Sequence, residues 1–190
     1  MNQNKEYTEQ LKELHQNPSF GTGLQTQKHY NRIYKIIEAR KIKSILDYGC
    51  GKGNFIKEIK EKYPNILVEG YDIANEEFTK LPDSRFELTV CLDVMEHIEF
   101  GTVNKVLQQI RNRTDKHFIC SIANYPARAI LPDGRNAHLT QLPFANWFAT
   151  LSGFFRVDDF MRTQPYEALF VCSKMENSAD WRQYIKRHTQ

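Results

Sequence analysis

Residues 44–53 read Ser-Ile-Leu-Asp-Tyr-Gly-Cys-Gly-Lys-Gly, an apolar run that stops at Asp47 and then passes through Gly49, Gly51 and Gly53. Ile45 and Leu46 suit a buried strand. The alternate glycines suit a tight turn after it, where missing Cβ atoms let backbone approach a nucleoside closely. The dinucleotide-binding fingerprint Gly-x-Gly-x-x-Gly does not fit this stretch. Counted from Gly49, its last glycine position holds Asn54; counted from Gly51, it holds Ile56.

Asn54 to Tyr63 forms a helical stretch closed by Pro64, and Ile66-Leu67-Val68-Glu69-Gly70-Tyr71-Asp72 reads as the next strand. An acid at that strand's end is placed to accept hydrogen bonds from both ribose hydroxyls of a nucleoside, as in nucleotide-binding βαβ units. Alone, Asp at a strand end is ordinary turn chemistry. Following a glycine loop and a helix, it points instead to binding. A further apolar run leads into Cys91-Leu92-Asp93-Val94-Met95-Glu96-His97-Ile98.

Together these segments resemble class I S-adenosylmethionine-dependent methyltransferases. Asp47, Gly49, Gly51 and Gly53 match the superfamily's first motif. Asp93 to Ile98 is similar to its fourth motif, in the Asp-Val-x-Glu-His-Ile form common in small-molecule branches. Ala123 to Ala127 and Leu131 to Thr140 further resemble a small subgroup of bacterial and phage methyltransferases of mostly undefined substrate. The resemblance implies a Rossmann-like α/β sandwich whose mostly parallel sheet has an antiparallel C-terminal ending. It also implies S-adenosylmethionine as cofactor, bound by Asp47, Tyr48, Gly49, Cys50, Gly51, Gly53, Asp72, Ile73, Leu92, Asp93 and His97.

Outward from the glycine loop, the pattern alternates strands and helices, as a parallel sheet covered on both faces requires. Tyr7, Leu11 and Leu14 have helical spacing, ended by Asn17-Pro18, and the resemblance implies that this arm (1–25) caps the cofactor site. Tyr30, Ile33, Tyr34, Ile36 and Ile37 mark a helix over 26–41. Strands are expected at 44–47, 66–71, 86–92 and 117–123, with helices at 54–62 and 102–112. Only about a dozen residues, Pro82 among them, separate Asp72 from Phe86, too few for the usual helix, third strand and return. The region around the third strand is therefore expected to be reduced to one short helix. In the superfamily that strand's end supplies an adenine-binding acid, for which Asp83 is a weak candidate. A loop rich in Pro, Gly and Asn (124–143) leaves the carboxyl end of a central strand, where open α/β sheets bind ligands. A helix at 144–151, strands at 154–161 and 166–173, and a C-terminal helix (177–190) capped by Ser178 complete the chain.

At 190 residues the chain is expected to be one domain, with substrate selection left to loops and termini. A net charge of +3 and a pI near 8.6 lack the dense basic stripe of a dedicated nucleic-acid binder. No secretory h-region or membrane-length apolar run is seen, so a soluble cytoplasmic protein is expected. Cys50, Cys91, Cys120 and Cys172 form no Cys-x-x-Cys pair and read as small buried residues in a reducing compartment.

Methyl transfer needs the nucleophile, carbon and sulfur in line, and it needs a base when the acceptor is protonated. His138, in the 124–143 loop, is the first candidate for base or substrate ligand, and pinning of the loop is the alternative reading. Tyr125 is a candidate for the acceptor pocket, with loop packing as its alternative. His97 is placed near the cofactor, whereas His15, His29, His117 and His188 show no partner spacing and read as incidental. Glu96, His97 and His138 lack metal-ligand spacing, so no metal is expected. Asn124-Tyr125-Pro126-Ala127 differs in order and strand from the Asn-Pro-Pro-Tyr motif of enzymes that methylate amide or adenine nitrogen, which disfavours base methylation of DNA. The expected activity is methylation of oxygen or nitrogen on a small molecule, sugar or metabolite. An RNA or protein methyltransferase, a non-catalytic cofactor-binding protein and a nicotinamide-dependent oxidoreductase are the alternatives.

Overall fold

The computed structural model describes residues 2–18 and 20–175. The C-terminal helix expected from Ser178 lies outside the described residues. Five helices are described, α1 (Asn2–His15), α2 (Gln27–Arg40), α3 (Asn54–Lys62), α4 (Val103–Arg113) and α5 (Phe144–Ser152). The strands are β1 (Ser44–Tyr48), β2 (Leu67–Tyr71), β3 (Phe86–Leu92), β4 (Thr114–Ala123), β5 (Phe155–Gln164) and β6 (Glu167–Lys174).

These strands form one sheet in the order β2-β1-β3-β4-β6-β5. The first four run parallel, and β6 pairs antiparallel with both β4 and β5. Between β2 and β3 the chain makes only a 3-10 turn at Glu76–Phe78, so β2 is an edge strand and β1 lies between β2 and β3. The expected reduction around the third strand is thus complete: the strand is missing because the segment is too short to cross the sheet and return.

Alternation along the strands sorts the core into two faces. Phe118, Cys120 and Ile122 of β4 pack with Val103, Leu107 and Ile110 of α4 and with Phe144, Trp147 and Leu151 of α5. Ile119, between them in sequence, joins Ile45, Leu88 and Val90 against Tyr30, Ile33 and Ile37 of α2 and against Phe55, Ile56 and Ile59 of α3. The helical residues recur every three or four positions, so each helix presents one apolar stripe to the sheet. All four cysteines are buried and unpaired, and among the described residues no helix is long and apolar enough to cross a membrane.

Phe118 is fully buried, with its ring 4.8 Å from that of Phe155. Phe118→Ala is expected to cost about 3–5 kcal/mol through lost burial and the cavity left behind, read as a lower urea midpoint.

Candidate functional site

The carboxyl ends of β1, β2 and β3 meet because β1 pairs with both neighbours, and the chain must then turn away sharply. Gly49 makes that turn at φ +79°, and a Cβ there would lie 2.4 Å from Val94 just beyond β3. Gly51 has φ +53°, and a Cβ would lie 2.2 Å from the carbonyl oxygen of Gly21. Only glycine satisfies both the left-handed backbone and these close approaches. The turn is fastened to β2, since the amides of Gly49 and Cys50 donate to the Tyr71 carbonyl at 2.7 and 3.1 Å. It is fastened also to the N-terminal segment. The Lys52 amide donates to Gly21 O at 2.8 Å, Lys52 Nζ to the carbonyls of Asn17 and Pro18, and Asn54 Nδ2 to Thr22 O.

Beside this turn lies a cavity of about 850 Å³, at the upper end of the roughly 300–1,000 Å³ typical of small-molecule sites. Its wall contains five carboxyls, Asp47, Asp72, Asp93 and Glu96, each at or just beyond a strand end, and Glu99, which is paired with Arg135. Asp72 accepts the Gly51 amide at 2.9 Å on one oxygen and the Ala74 amide at 2.8 Å on the other. Asp47 is buried, and burial together with the neighbouring Asp72 pushes its pKa up to about 8. Asp93 adopts a left-handed backbone at φ +52°, and Ser121 Oγ donates to it at 2.5 Å. Burial also raises the Asp93 pKa, against that hydrogen bond.

His97 and His138 sit together, ring centroids 4.7 Å apart and nearly perpendicular. His97 Nδ1 lies 2.8 Å from Ala137 O, and His138 Nδ1 lies 2.5 Å from Tyr125 O. A carbonyl only accepts, so in each ring Nδ1 carries the proton and Nε2 keeps its lone pair. Burial, and then His138, lower the His97 pKa to about 4. Burial lowers that of His138 too, partly countered by the Tyr125 carbonyl. Both rings are therefore neutral at physiological pH.

Of the residues singled out by sequence, Asp47, Tyr48, Gly49, Cys50, Gly51, Asp72, Ile73, Leu92, Asp93, His97, Tyr125 and His138 all line this cavity. Gly53 does not. It packs against the Phe78 ring and leads the chain into α3. Asp83 lies elsewhere too, exposed and paired with Arg113. His15, taken as incidental, lies in the cavity wall with its ring 5.2 Å from Phe20. His29, also taken as incidental, is buried with Nε2 3.0 Å from Glu167. Burial acts to raise the Glu167 pKa, but hydrogen bonds from His29, Lys28 and Thr163 hold the carboxyl down to about 2.

The N-terminal segment contributes more of the wall than its sequence indicated: Tyr7, Leu11, Phe20 and residues 21–26 all face the cavity. Tyr7 donates to His97 O at 2.5 Å, and Tyr7 and Leu11 pack against Ala74 and Leu131. The helical spacing of Tyr7, Leu11 and Leu14, the glycines of Gly21-Thr22-Gly23 and the resemblance, which implies a capping arm over 1–25, were the signals for this segment. Nothing local marked Phe20.

A methyltransferase-domain family model matches residues 15–162. The fold is similar to that of Burkholderia thailandensis 1,6-didemethyltoxoflavin-N1-methyltransferase, with TM-score 0.66 and 16% identity over 90% of each chain. Magnesium protoporphyrin IX methyltransferase from Synechocystis PCC 6803 gives TM-score 0.57 and 15% identity over 78% of this chain and 83% of that one. The N-methyltransferase NodS from Bradyrhizobium japonicum WM9 gives 0.58 and 12%, over 80% and 87%. No curated protein matches by sequence. With the model spanning most of the chain and the Rossmann-like sheet in place, this protein belongs to the methyltransferase-domain family of class I methyltransferases.

Proposed function

We propose that this protein transfers the methyl group of S-adenosylmethionine to an oxygen or nitrogen of a small-molecule acceptor. The observation that carries this reading is one cavity joining a glycine turn to two buried carboxyls, Asp47 and Asp72, with no cation paired to either among the described residues. A buried carboxyl without a cation is costly, and a ligand bearing positive charge relieves the cost. S-adenosylmethionine carries an ammonium and a sulfonium, so the residues fit it. When bound, it supplies an electrophilic methyl group.

In this reading Asp47 faces the ammonium, and the Gly49–Gly51 turn admits the amino-acid portion between Tyr48 and Cys50. Asp72 uses the lone pairs left by its two amide bonds for the ribose hydroxyls. Ile73, Leu92, Asp93 and His97 frame the nucleoside. His138, its tautomer set by the Tyr125 carbonyl, presents a neutral Nε2 that can take a proton from a hydroxyl acceptor. Tyr125, on the acceptor side, is 41% exposed and free to pack against the substrate. The toxoflavin and protoporphyrin enzymes are named for small-molecule acceptors and were crystallised with S-adenosylhomocysteine, in line with this assignment.

Calorimetry should show S-adenosylmethionine and S-adenosylhomocysteine binding to the wild type. Asp72→Ala should weaken both by at least about 100-fold, since two hydrogen bonds to a charged group contribute about 1.5–3 kcal/mol each. Absence of wild-type binding would sink the proposal. Asp47 binds a cation in its ionised form, so cofactor affinity should rise with pH up to about 8 and then level, with proton release on binding at pH 7. Asp47→Asn should flatten that dependence. In the cofactor-free protein the raised pKa means that Asp47 contributes stability at low pH and loses it as pH rises toward about 8. Asp47→Asn should therefore raise the Tm at pH 8 and leave it unchanged near pH 3. Finally, His138→Ala should lower turnover about 10²–10⁴-fold with S-adenosylhomocysteine affinity intact; unchanged turnover would assign His138 to holding the loop.

A further inference from the structure

Arg128 follows Tyr125 by three residues in the 124–143 loop, and its exposed side chain borders the cavity. The backbone on either side of it is clamped. Asn136 Oδ1 accepts the Ala127 amide at 2.9 Å, Asn136 Nδ2 donates to Ala127 O at 2.8 Å, and the Ala137 amide donates to Ala129 O at 3.1 Å. The same Asn136 Oδ1 accepts the His138 amide at 3.0 Å, so the backbones carrying Arg128 and His138 are tied together. Every other described arginine meets a carboxylate, a carbonyl, an imidazole or a ring, whereas Arg128 has no hydrogen bond or ion pair with any described residue. A guanidinium carries a fork of N–H donors matched to a carboxylate. None of the five cavity carboxyls takes up that fork, so a ligand carboxylate arriving there meets no competing protein anion.

Tyr125 ends a continuous row of rings in the same wall. His15 meets Phe20 edge-on at 5.2 Å, Phe20 meets His97 at 6.2 Å, His97 meets His138 at 4.7 Å, and Tyr125 lies 5.6 Å from His138. All five line the cavity. Each imidazole spends its Nδ1–H on a backbone carbonyl, so the row presents ring faces and edges to whatever enters, a surface that suits a flat ring. Exposure falls along it, from 41% at Tyr125 to 9% at His138.

We propose that the methyl acceptor is a flat aromatic carboxylate, its ring packed along this wall and its carboxylate held by Arg128, an assignment that rests on the methyl-transfer reading. The gradient of exposure sets the orientation. The carboxylate stays at the wetter end with Arg128, and the end to be methylated points inward past Tyr125 toward His138. Arg128 acts here as a specificity residue: it favours an anionic ring over a neutral one of the same shape and repels a cationic one.

The test is calorimetry on the full chain saturated with S-adenosylhomocysteine, with three probes: para-hydroxybenzoate, para-cresol and cyclohexanecarboxylate. The wild type should bind para-hydroxybenzoate about fivefold or more tighter than either the neutral ring or the non-aromatic acid. Arg128→Gln should bring para-hydroxybenzoate down to the affinity of para-cresol, with para-cresol and S-adenosylhomocysteine binding unchanged. Phe20→Leu should weaken both aromatic probes. Arg85→Gln, at the end of β3 away from the cavity, should alter none of these affinities. Equal wild-type affinity for para-hydroxybenzoate and para-cresol, a preference for cyclohexanecarboxylate, or undiminished para-hydroxybenzoate binding by Arg128→Gln would each overturn the assignment. So would the absence of para-hydroxybenzoate binding by a protein that binds S-adenosylhomocysteine. Failure to bind S-adenosylhomocysteine would instead remove the cofactor reading on which it rests.

Discussion

The site depends on the backbone turn at Gly49–Gly51, wedged between Val94 on one side and Gly21 on the other. Parallel pairing aligns the ends of β1, β2 and β3, but the chain leaving β1 must then clear both neighbours within a few residues. It does so only because two positions lack a Cβ and accept positive φ. The same turn aims the Gly51 amide at Asp72 and pins the N-terminal segment through Lys52. Sheet, carboxyl and N-terminal segment are thus joined at one point, and a side chain added there would part all three.

Asp47, Asp72, Asp93 and Glu96, set around one cavity, are a poor arrangement for stability alone. Each is desolvated, and the pair closest in effect, Asp47 and Asp72, repel one another. The protein answers this differently at each. Asp72 receives two backbone amides, Asp93 receives a serine hydroxyl, and one oxygen of Glu96 receives the Ala123 amide. Asp47 has the least compensation, and burial beside Asp72 raises its pKa to about 8. By contrast Glu167, outside the cavity, is surrounded by Lys28, His29 and Thr163 and serves to lock α2 onto β6. Glu167 has cationic partners supplied, whereas Asp47 and Asp72 have none among the described residues.

The 3-10 turn Met95–His97 has a comparable organising role beyond the end of β3. It receives Tyr7 from α1 at the His97 carbonyl and Thr140 at the Glu96 carbonyl, and it reaches Ala123 through a side chain. The N-terminal helix, the end of β4 and the long loop therefore share one anchor.

The amino-acid sequence by itself determined most of the described elements, the sheet class and the glycine turn and strand-end acids that line the cavity. Apolar periodicity and glycine spacing are local signals, and Asp47, Asp72 and Asp93 each follow a strand whose hydrophobic run is visible in the chain. The shortness of the Asp72–Phe86 segment likewise dictated the missing strand. What only the tertiary structure decided was which distant groups share a boundary. The carbonyl of Gly21 set against Gly51, the rings of His15 and Phe20 beside His97, and the Lys28–His29 contact with Glu167 each join parts of the chain far apart in sequence. Glu96 Oε2, buried with no hydrogen-bond partner, belongs with these. Burial and hydrogen-bond satisfaction are properties of the space around an atom, which the packing of β3, β4, β6 and the 124–143 loop creates and no local pattern encodes.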